Sequence, residues 1–223
     1  MITVHHLNNS RSQRVLWLLE ELGVAYEIKH YQRDPKTMLA PAELKAVHPL
    51  GKSPVITDGD RVVAESGAIV EYLLDTYDPE QRLRPAPGTE ARHRFTYWLH
   101  YAEGSAMPPL LLSLIFSKVA SAPAPFFVKP VLREVSRQVR KAFVDQQVLT
   151  HVNFIADALG RAPWLCGEHF SAADVQMSFP IEAAVQRSPE GAELAPLRAF
   201  CAAISARPAY QRALARGGPY DLG

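Results

Sequence analysis

SPVITDGDRVVAES, residues 53–66, is the stretch that decides the fold. A proline enters a short apolar strand at residues 55–57, and Asp58-Gly59-Asp60 carries the Asp-Gly signal of a tight turn. Residues 61–64 return as a second strand. From Ser66 onward, apolar side chains recur at helical spacing. The stretch therefore predicts a β-hairpin that leads directly into a helix with a polar start.

A strand–helix–strand unit precedes the hairpin. Residues 2–7 are β-prone, and the apolar side chains of residues 15–22 fall on one helix face. Gly23 stands where a helix C-terminal glycine belongs, and residues 26–31 alternate like a strand. With a short helix expected at 41–47, the first ~78 residues run β-α-β-(α)-β-β-α. This order predicts a thioredoxin-like domain.

The remainder of the chain shows helical periodicity alone. Pro85-Ala86-Pro87-Gly88 indicates a linker, and no convincing strand follows Glu90. Helical periodicity covers residues 90–118, 125–149, 150–160, 173–186 and 192–206. The predicted fold class is therefore α/β plus all-α, with a thioredoxin-like domain at residues 1–80, a linker at 81–88 and an all-helical bundle at 89–223.

Composition and charge argue against several functional classes. The 223 residues are 48% hydrophobic, which is ordinary for a globular protein with a real core. Basic and acidic side chains number 24 and 23, so the net charge of +1 predicts neither a nucleic-acid partner nor a membrane partner. No apolar run approaches the roughly 20 residues of a membrane span, and no signal-peptide pattern is present. We expect a cytoplasmic protein.

Cysteine, histidine and basic residues form no metal-binding or redox motif. Cys166 and Cys201 have no CxxC spacing, which favours two structural thiols. The eight histidines include no HExxH, so no metal is expected. A basic stripe at helical spacing indicates a solvated face or a dimer rim, and it comprises Lys129, Arg133, Arg137, Arg140 and Lys141.

A capping box stands in the second half. Ser171 is expected as N-cap, Asp174 lies three residues later, and Phe170 and Val175 form the apolar staple. Because both sides of the box are apolar, this helix start is expected to be buried. The pattern assigns Asp174 a structural role and not a catalytic one.

The first candidate site element is the turn after the first strand, which holds Asn9, Ser10 and Ser12. A hydroxyl at a helix N-terminus can donate to a thiolate, and the helix field favours the anion. A free thiol has a pKa of about 8.5, and such a site brings it near or below 7. The alternative is that Ser10 or Ser12 only caps the helix.

Two further elements lie in the opening stretch. If the Ser53-Pro54 bond is cis, the backbone of Ser53 can pair with an extended ligand, although most such bonds are trans. At Glu65-Ser66, the Ser66 hydroxyl and the first helix amides can hold a carboxylate, and Glu65 can accept from an ammonium group. The alternative there is an ordinary helix cap.

Over nearly its whole length, the chain resembles the cytosolic glutathione transferase family. The resemblance rests on the strand–turn–helix opening, Pro54 before a strand, the pair Glu65-Ser66 and the capping box. Two segments, LNNSRSQR at residues 7–14 and YAEGSAMPPL at residues 101–110, are most similar to a bacterial and fungal branch of the family. Members of that branch carry serine or asparagine at the catalytic position. His5-His6 stands where the tyrosine-type classes carry tyrosine, and the absence of cysteine from the first turn disfavours the cysteine-type classes.

The resemblance implies roles for these residues. Ser10 would steady the thiolate of glutathione, the co-substrate, with Ser12 and Asn9 as alternates. The other implied glutathione contacts are Lys52 to a carboxylate, Ser53 through its backbone, Pro54 as the cis-proline, and Glu65 and Ser66 at the γ-glutamyl end. It also implies a homodimer that acts on a small hydrophobic electrophile in detoxification, without a metal.

Tyr101 and Met107 are expected to line the electrophile pocket, because Gly104 and Pro108-Pro109 should open the helix near them; the alternative is that both are ordinary core residues. Two alternative functions stay open at this point. One is a glutathione-dependent peroxidase or reductase that uses the same site. The other is a glutathione-binding scaffold of the same fold without useful turnover.

Overall fold

The computed structural model describes residues 1–218, and a four-stranded mixed sheet organises its first third. The strands are β1 (Ile2–Leu7), β2 (Tyr26–Tyr31), β3 (Val55–Asp58) and β4 (Arg61–Ala64), in the spatial order β2-β1-β3-β4. β1 runs parallel to β2, and the β1–β3 and β3–β4 pairs are antiparallel. The predicted hairpin is therefore β3–β4, with Asp58 opposite Arg61.

Helices pack on both faces of the sheet, and alternate side chains of β1 point to opposite faces. Ile2 and Val4 belong to the large core with α1 (Ser12–Leu22) and α3 (Ser66–Tyr77). Leu7, of opposite parity, packs with Tyr31 and with Leu44 of α2 (Ala42–Val47). His6 thus shares the face of β1 that α1 covers, and His5 shares the other.

The second part of the chain is helical. Its helices are α4 (Glu90–Tyr101), α5 (Met107–Ala120), α6 (Lys129–Val139), α7 (Asp145–Arg161), α8 (Ala172–Arg187), α9 (Ala195–Ser205) and α10 (Pro208–Gly217). π-helical turns at Ala102–Ala106 and Arg140–Val144 join α4 to α5 and α6 to α7. The predicted fold class is confirmed, and the domain boundaries at 80 and 89 stay a prediction.

The predicted capping box forms at the start of α8, the helix at the centre of the core. Asp174 is fully buried, and its carboxylate accepts the backbone N–H groups of Ser171 and Leu165, each at 2.9 Å. Burial raises the pKa of Asp174 to about 6, although these hydrogen bonds oppose that rise. Asp174 therefore fastens the loop before α8 to the helix start.

Three local expectations are wrong or incomplete. The N-cap of α3 is Glu65, and the Ser66 side chain makes no capping bond because it points to partners on other helices. Gly104 does not open the chain, since the helix continues through a π-turn and the prolines occupy the first turn of α5. The helix α10 was not predicted from the sequence, and it buries Ala209, Tyr210 and Ala213.

Among residues 1–218, no helix combines the length and the apolar character that crossing a membrane requires.

Candidate functional site

A cleft of about 290 Å³ lies where β3, α3 and the π-turn after α4 approach one another. It is lined by Arg11, His48, Leu50, Lys52, Ser53, Pro54, Val55, Ala64, Glu65, Ser66 and Glu103. Five residues predicted from the sequence for ligand binding, Lys52, Ser53, Pro54, Glu65 and Ser66, thus line one cavity. Their assembly follows from the hairpin, which returns the chain from Pro54 to the start of α3.

The Ser53-Pro54 peptide bond is cis. Pairing between β1 and β3 ends at His5 opposite Val55, so Ser53 lies just beyond the ladder. Within residues 1–218, neither backbone polar group of Ser53 has a hydrogen-bond partner, whereas its hydroxyl donates to the His5 carbonyl at 3.0 Å. The cleft wall therefore offers one donor and one acceptor of extended backbone, as strand addition requires.

A chain of hydroxyls leads from the cleft into the protein. The Ser10 Oγ lies 3.4 Å from the Ser53 Oγ and 2.7 Å from the Ser12 Oγ, and the Ser12 Oγ lies 2.9 Å from Nδ1 of His6. Ser10 also accepts the backbone N–H of Ser12 at 3.3 Å, but the N-cap of α1 is Arg11 and no side chain caps this helix, so the capping alternative is wrong. Ser12 is fully buried, so Ser10 is the member of the pair nearer to the cleft.

The state of His6 sets the direction of these hydrogen bonds. Burial and the neighbouring His30 lower the pKa of His6 to about 4, although a hydrogen bond to the Gly217 carbonyl opposes that shift. The ring is therefore neutral at pH 7, and its single N–H is used by Gly217. It follows that Nδ1 accepts from Ser12, and that the single Ser10 hydrogen is shared between the Ser12 Oγ and the Ser53 Oγ.

The Ser66 hydroxyl lies at the start of α3, where this helix borders the cleft. Its oxygen accepts from Nη2 of Arg14 at 2.9 Å and from Nε2 of Gln176 at 3.3 Å. Both lone pairs are thus engaged, which leaves the hydroxyl hydrogen to donate. Beside it, Glu65 has a backbone φ of 71°, a conformation that non-glycine residues adopt rarely and mostly at functional sites.

Glu103 brings a carboxylate to the same cleft from the helical part. Nε of Arg11 donates to both of its oxygens at 2.9 Å, and the buried Arg14 guanidinium pairs with it as well. Burial opposes ionisation of Glu103, but the two guanidiniums outweigh burial and lower the pKa of its carboxyl. The carboxylate therefore stays ionised in the cleft.

The sequence analysis assigned no role to Arg11, Arg14, Glu103, Gln176 or His48. One signal for Glu103 was present, since it is the only charged residue in the apolar run from 101 to 117. A lone charge in an apolar helix needs a partner, and here the partners are arginines of the first helix turn. Arg14 and Gln176 gave no comparable signal, because their partners lie on other elements.

The remaining predicted residues lie elsewhere. Asn9 is exposed, with a φ of 48°. Tyr101 is buried in an aromatic cluster with Tyr97, its hydroxyl 2.5 Å from Nδ1 of His151, and Met107 belongs to the main core. Neither Tyr101 nor Met107 lines the cleft, so their assignment to an electrophile pocket stays a prediction.

Groups of metal-ligating side chains are also absent from the described part of the chain. Both cysteines are free, and burial raises the pKa of the Cys166 and Cys201 thiols to about 12. At neutral pH these thiols are protonated and therefore unreactive.

Comparison with known proteins agrees with this geometry. Residues 1–75 match the family model described as the N-terminal domain of glutathione S-transferase. Glutathione S-transferase 1 of Saccharomyces cerevisiae is 36% identical over 194 residues, which cover 84% of this chain and 82% of the yeast protein. Glutathione S-transferase 3 of Schizosaccharomyces pombe is 36% identical over 82% of this chain and 74% of its own.

Solved structures show the same similarity. A glutathione S-transferase from Actinobacillus pleuropneumoniae has a TM-score of 0.78 and 35% identity, with 100% of this chain and 95% of that chain covered. A theta-class glutathione S-transferase from Xanthomonas axonopodis pv. citri, solved with glutathione bound, has a TM-score of 0.73 and 28% identity, with 100% and 99% covered.

Proposed function

We propose that this chain, which belongs to the glutathione S-transferase family, holds glutathione in the cleft between β3, α3 and Glu103. Its activity is that of a glutathione transferase, which favours the thiolate of glutathione and adds it to an electrophile. The observation that carries the assignment to this cleft is the unpaired backbone of Ser53, with a donor hydroxyl at Ser66 on one side and the Ser10 hydroxyl on the other.

Each part of the tripeptide has a matching group. The cysteinyl backbone would pair with the N–H and C=O of Ser53. The γ-glutamyl carboxylate would accept from the Ser66 hydroxyl and the first amides of α3, and its ammonium would face Glu65. The exposed Lys52 lines the opposite part of the cleft and would reach the glycyl carboxylate.

Ser10 is the residue that we assign to the thiolate. Its hydrogen is shared between the hydroxyls of Ser12 and Ser53, so a bound thiolate must compete with both for it. A hydrogen bond to a charged group is worth roughly 1.5–3 kcal/mol, more than a neutral serine pair, so the thiolate should win. The protein then contributes a lowered thiol pKa and fixed orientation, without a covalent enzyme intermediate.

We further propose a homodimer in the cytoplasm with a role in detoxification, acting on a small hydrophobic electrophile. The family assignment supports these points. The electrophile would lie against the helical part, and Tyr101 and Met107 remain our candidates near it.

Conjugation of glutathione to a generic aryl halide tests this function. We expect turnover that depends on glutathione and that falls in the Ser10→Ala variant. Reduction of cumene hydroperoxide faster than conjugation would instead assign a peroxidase. Tight glutathione binding with neither reaction would assign a scaffold.

A further inference from the structure

A second cavity of about 420 Å³ lies between α5 and the α6 helix with its following π-turn. It is lined by Phe116, Ser117, Ala120, Arg133, Ser136, Arg137, Arg140, Lys141 and Asp145. None of these residues lines the glutathione cleft. The volume falls within the range of small-molecule sites, roughly 300–1,000 Å³.

The charge of this cavity is strongly positive. Arg140 pairs with Asp145 at 3.1 Å, and Arg137 pairs with Glu134 at 2.5 Å. Arg133 and Lys141 have no anionic partner anywhere in residues 1–218, so two positive charges are left uncompensated. Acidic residues are also absent from positions 104–133, which form the surrounding hairpin. The chain as a whole is nearly neutral, so this excess is local.

A buried polar group without a partner lies in the same wall. Ser136 is 2% exposed, and its Oγ has no hydrogen-bond partner among the described residues. A buried hydroxyl left unpaired costs roughly 1–3 kcal/mol, so such groups need an explanation. Nearby, the Ser117 hydroxyl already donates to the Ser113 carbonyl and accepts from Arg140 at 3.2 Å. Ser136 is therefore the hydroxyl that remains available.

The α5 wall supplies apolar surface from Phe116 and Ala120. A ligand that satisfies the cavity must then combine an apolar body with an anion. The two uncompensated charges match a dianion, and the arginine fork suits the geometry of a phosphate group better than a point charge does.

We propose that this cavity binds a small aromatic phosphate monoester, with its phosphate between Arg133 and Lys141 and its ring against Phe116. The phosphate accepts from the two cations and from the Ser136 hydroxyl after a small side-chain shift. This site is separate from the glutathione cleft and does not depend on the proposed function.

Titration calorimetry of the full-length protein with 1-naphthyl phosphate tests the proposal. We expect saturable binding, weaker binding of inorganic phosphate and none of 1-naphthol, because both the ring and the charge contribute. The double variant Arg133→Gln/Lys141→Gln should weaken binding at least about tenfold, and Ser136→Ala should weaken it severalfold. Lys129→Gln removes a charge of the same stripe outside the cavity and should change nothing.

Other outcomes overturn the proposal. Equal affinity in the wild type and the double variant would place the ligand elsewhere. Displacement by saturating glutathione would place it in the glutathione cleft. Absence of binding, together with weaker self-association of the double variant in sedimentation, would show that an acidic side chain of a second copy fills the cavity. The substituted cations are exposed, so unchanged circular dichroism should establish that each variant is folded.

Discussion

Ser10 and Ser12 stand two residues apart, but their hydroxyls meet different environments. Ser12 contacts His6, and Ser10 is buried beside Ser53, behind the residues that line the cleft. Because the neutral His6 ring accepts from Ser12, the Ser12 oxygen can accept from Ser10, as the Ser53 oxygen also does. The two serines should therefore affect a bound thiol in different ways.

Ser10→Ala should raise the pKa of bound glutathione by about 1 to 2, since it removes a hydrogen bond to the thiolate. Ser12→Ala should not raise that pKa, because it removes one of the two acceptors that compete with the sulfur for the Ser10 hydrogen. The pH dependence of thiolate ultraviolet absorbance measures both. The opposite pattern would transfer the activating role to Ser12.

Glu65→Ala tests the γ-glutamyl end of the cleft. The variant removes the carboxylate that faces the ligand ammonium, while the backbone of the α3 start stays in place. We expect about a tenfold loss of affinity for glutathione, seen as early elution from immobilised glutathione. Glu43→Ala on α2 removes a carboxylate that does not line the cleft and serves as the control. Unchanged retention of Glu65→Ala would remove this assignment.

At the scale of elements, the α1–α10 contact joins the two ends of the described chain. Arg212 and Arg216 of α10 pair with Glu20, and the aromatic rings of Trp17 and Tyr210 meet edge to face at 5.1 Å. Gly217 is the last residue of α10, and its carbonyl accepts a hydrogen bond from the His6 ring. Through Gly217 and His6, α10 therefore supports the hydroxyls of Ser12 and Ser10.

Gly217→Ala should destabilise the protein by about 1–3 kcal/mol. A Cβ at Gly217 would lie 2.5 Å from Oε1 of Gln13 and 2.6 Å from Cδ1 of Leu16, both in buried side chains. Gly160→Ala is the matched control, because a Cβ there meets open space on an exposed helix. It should stabilise by about 0.5–1 kcal/mol. Urea unfolding measures both, and equal effects would contradict the close contact.

At the scale of the whole molecule, charged groups between the helical part and the sheet part fix how the two meet. Arg14 of α1 contacts Ser66 of α3, Glu103 of the π-turn and the Gln176 carbonyl of α8. Glu182, also on α8, accepts from the Tyr210 hydroxyl of α10 at 2.7 Å. The cleft is thus built from both parts of the chain.

Glu182 should make stability depend on pH. Burial raises its pKa to about 7, although Tyr210 and Arg14 oppose that rise, so the folded state holds a proton that the unfolded state releases near pH 4.5. Its contribution to the free energy of unfolding is therefore present at low pH and is lost as pH rises toward 7, with a slope of up to about 1.4 kcal/mol per pH unit.

Denaturant unfolding of the wild type and Glu182→Gln between pH 4.5 and 7.5 measures this contribution. The free energy of unfolding of the wild type minus that of the variant should fall as pH rises toward 7. The contributions of all other titratable groups are the same in both proteins and cancel. Asp157→Asn removes an exposed carboxylate on α7 and should give a flat difference. A flat difference for Glu182→Gln as well would show that Glu182 is ionised throughout this range.

The sequence by itself determined the element order of the first 78 residues, the hairpin and the capping box at Ser171–Asp174. Those features depend on side chains a few residues apart, so periodicity and turn chemistry suffice to predict them. The glutathione transferase assignment came from the resemblance of the chain to that family. The residues around Pro54 leave the isomer of the Ser53-Pro54 bond open, the family resemblance implies the cis form, and the bond is cis in the structure.

Only the tertiary structure decided which groups meet at the cleft. Glu103 meets Arg11 and Arg14 across the two parts of the chain, and Ser66 is turned from a cap into a donor by Arg14 and Gln176. These contacts join residues on separate elements and leave no local pattern. The direction of the Ser12 hydrogen likewise depends on His6 and on Gly217, which come together only when α10 packs behind α1.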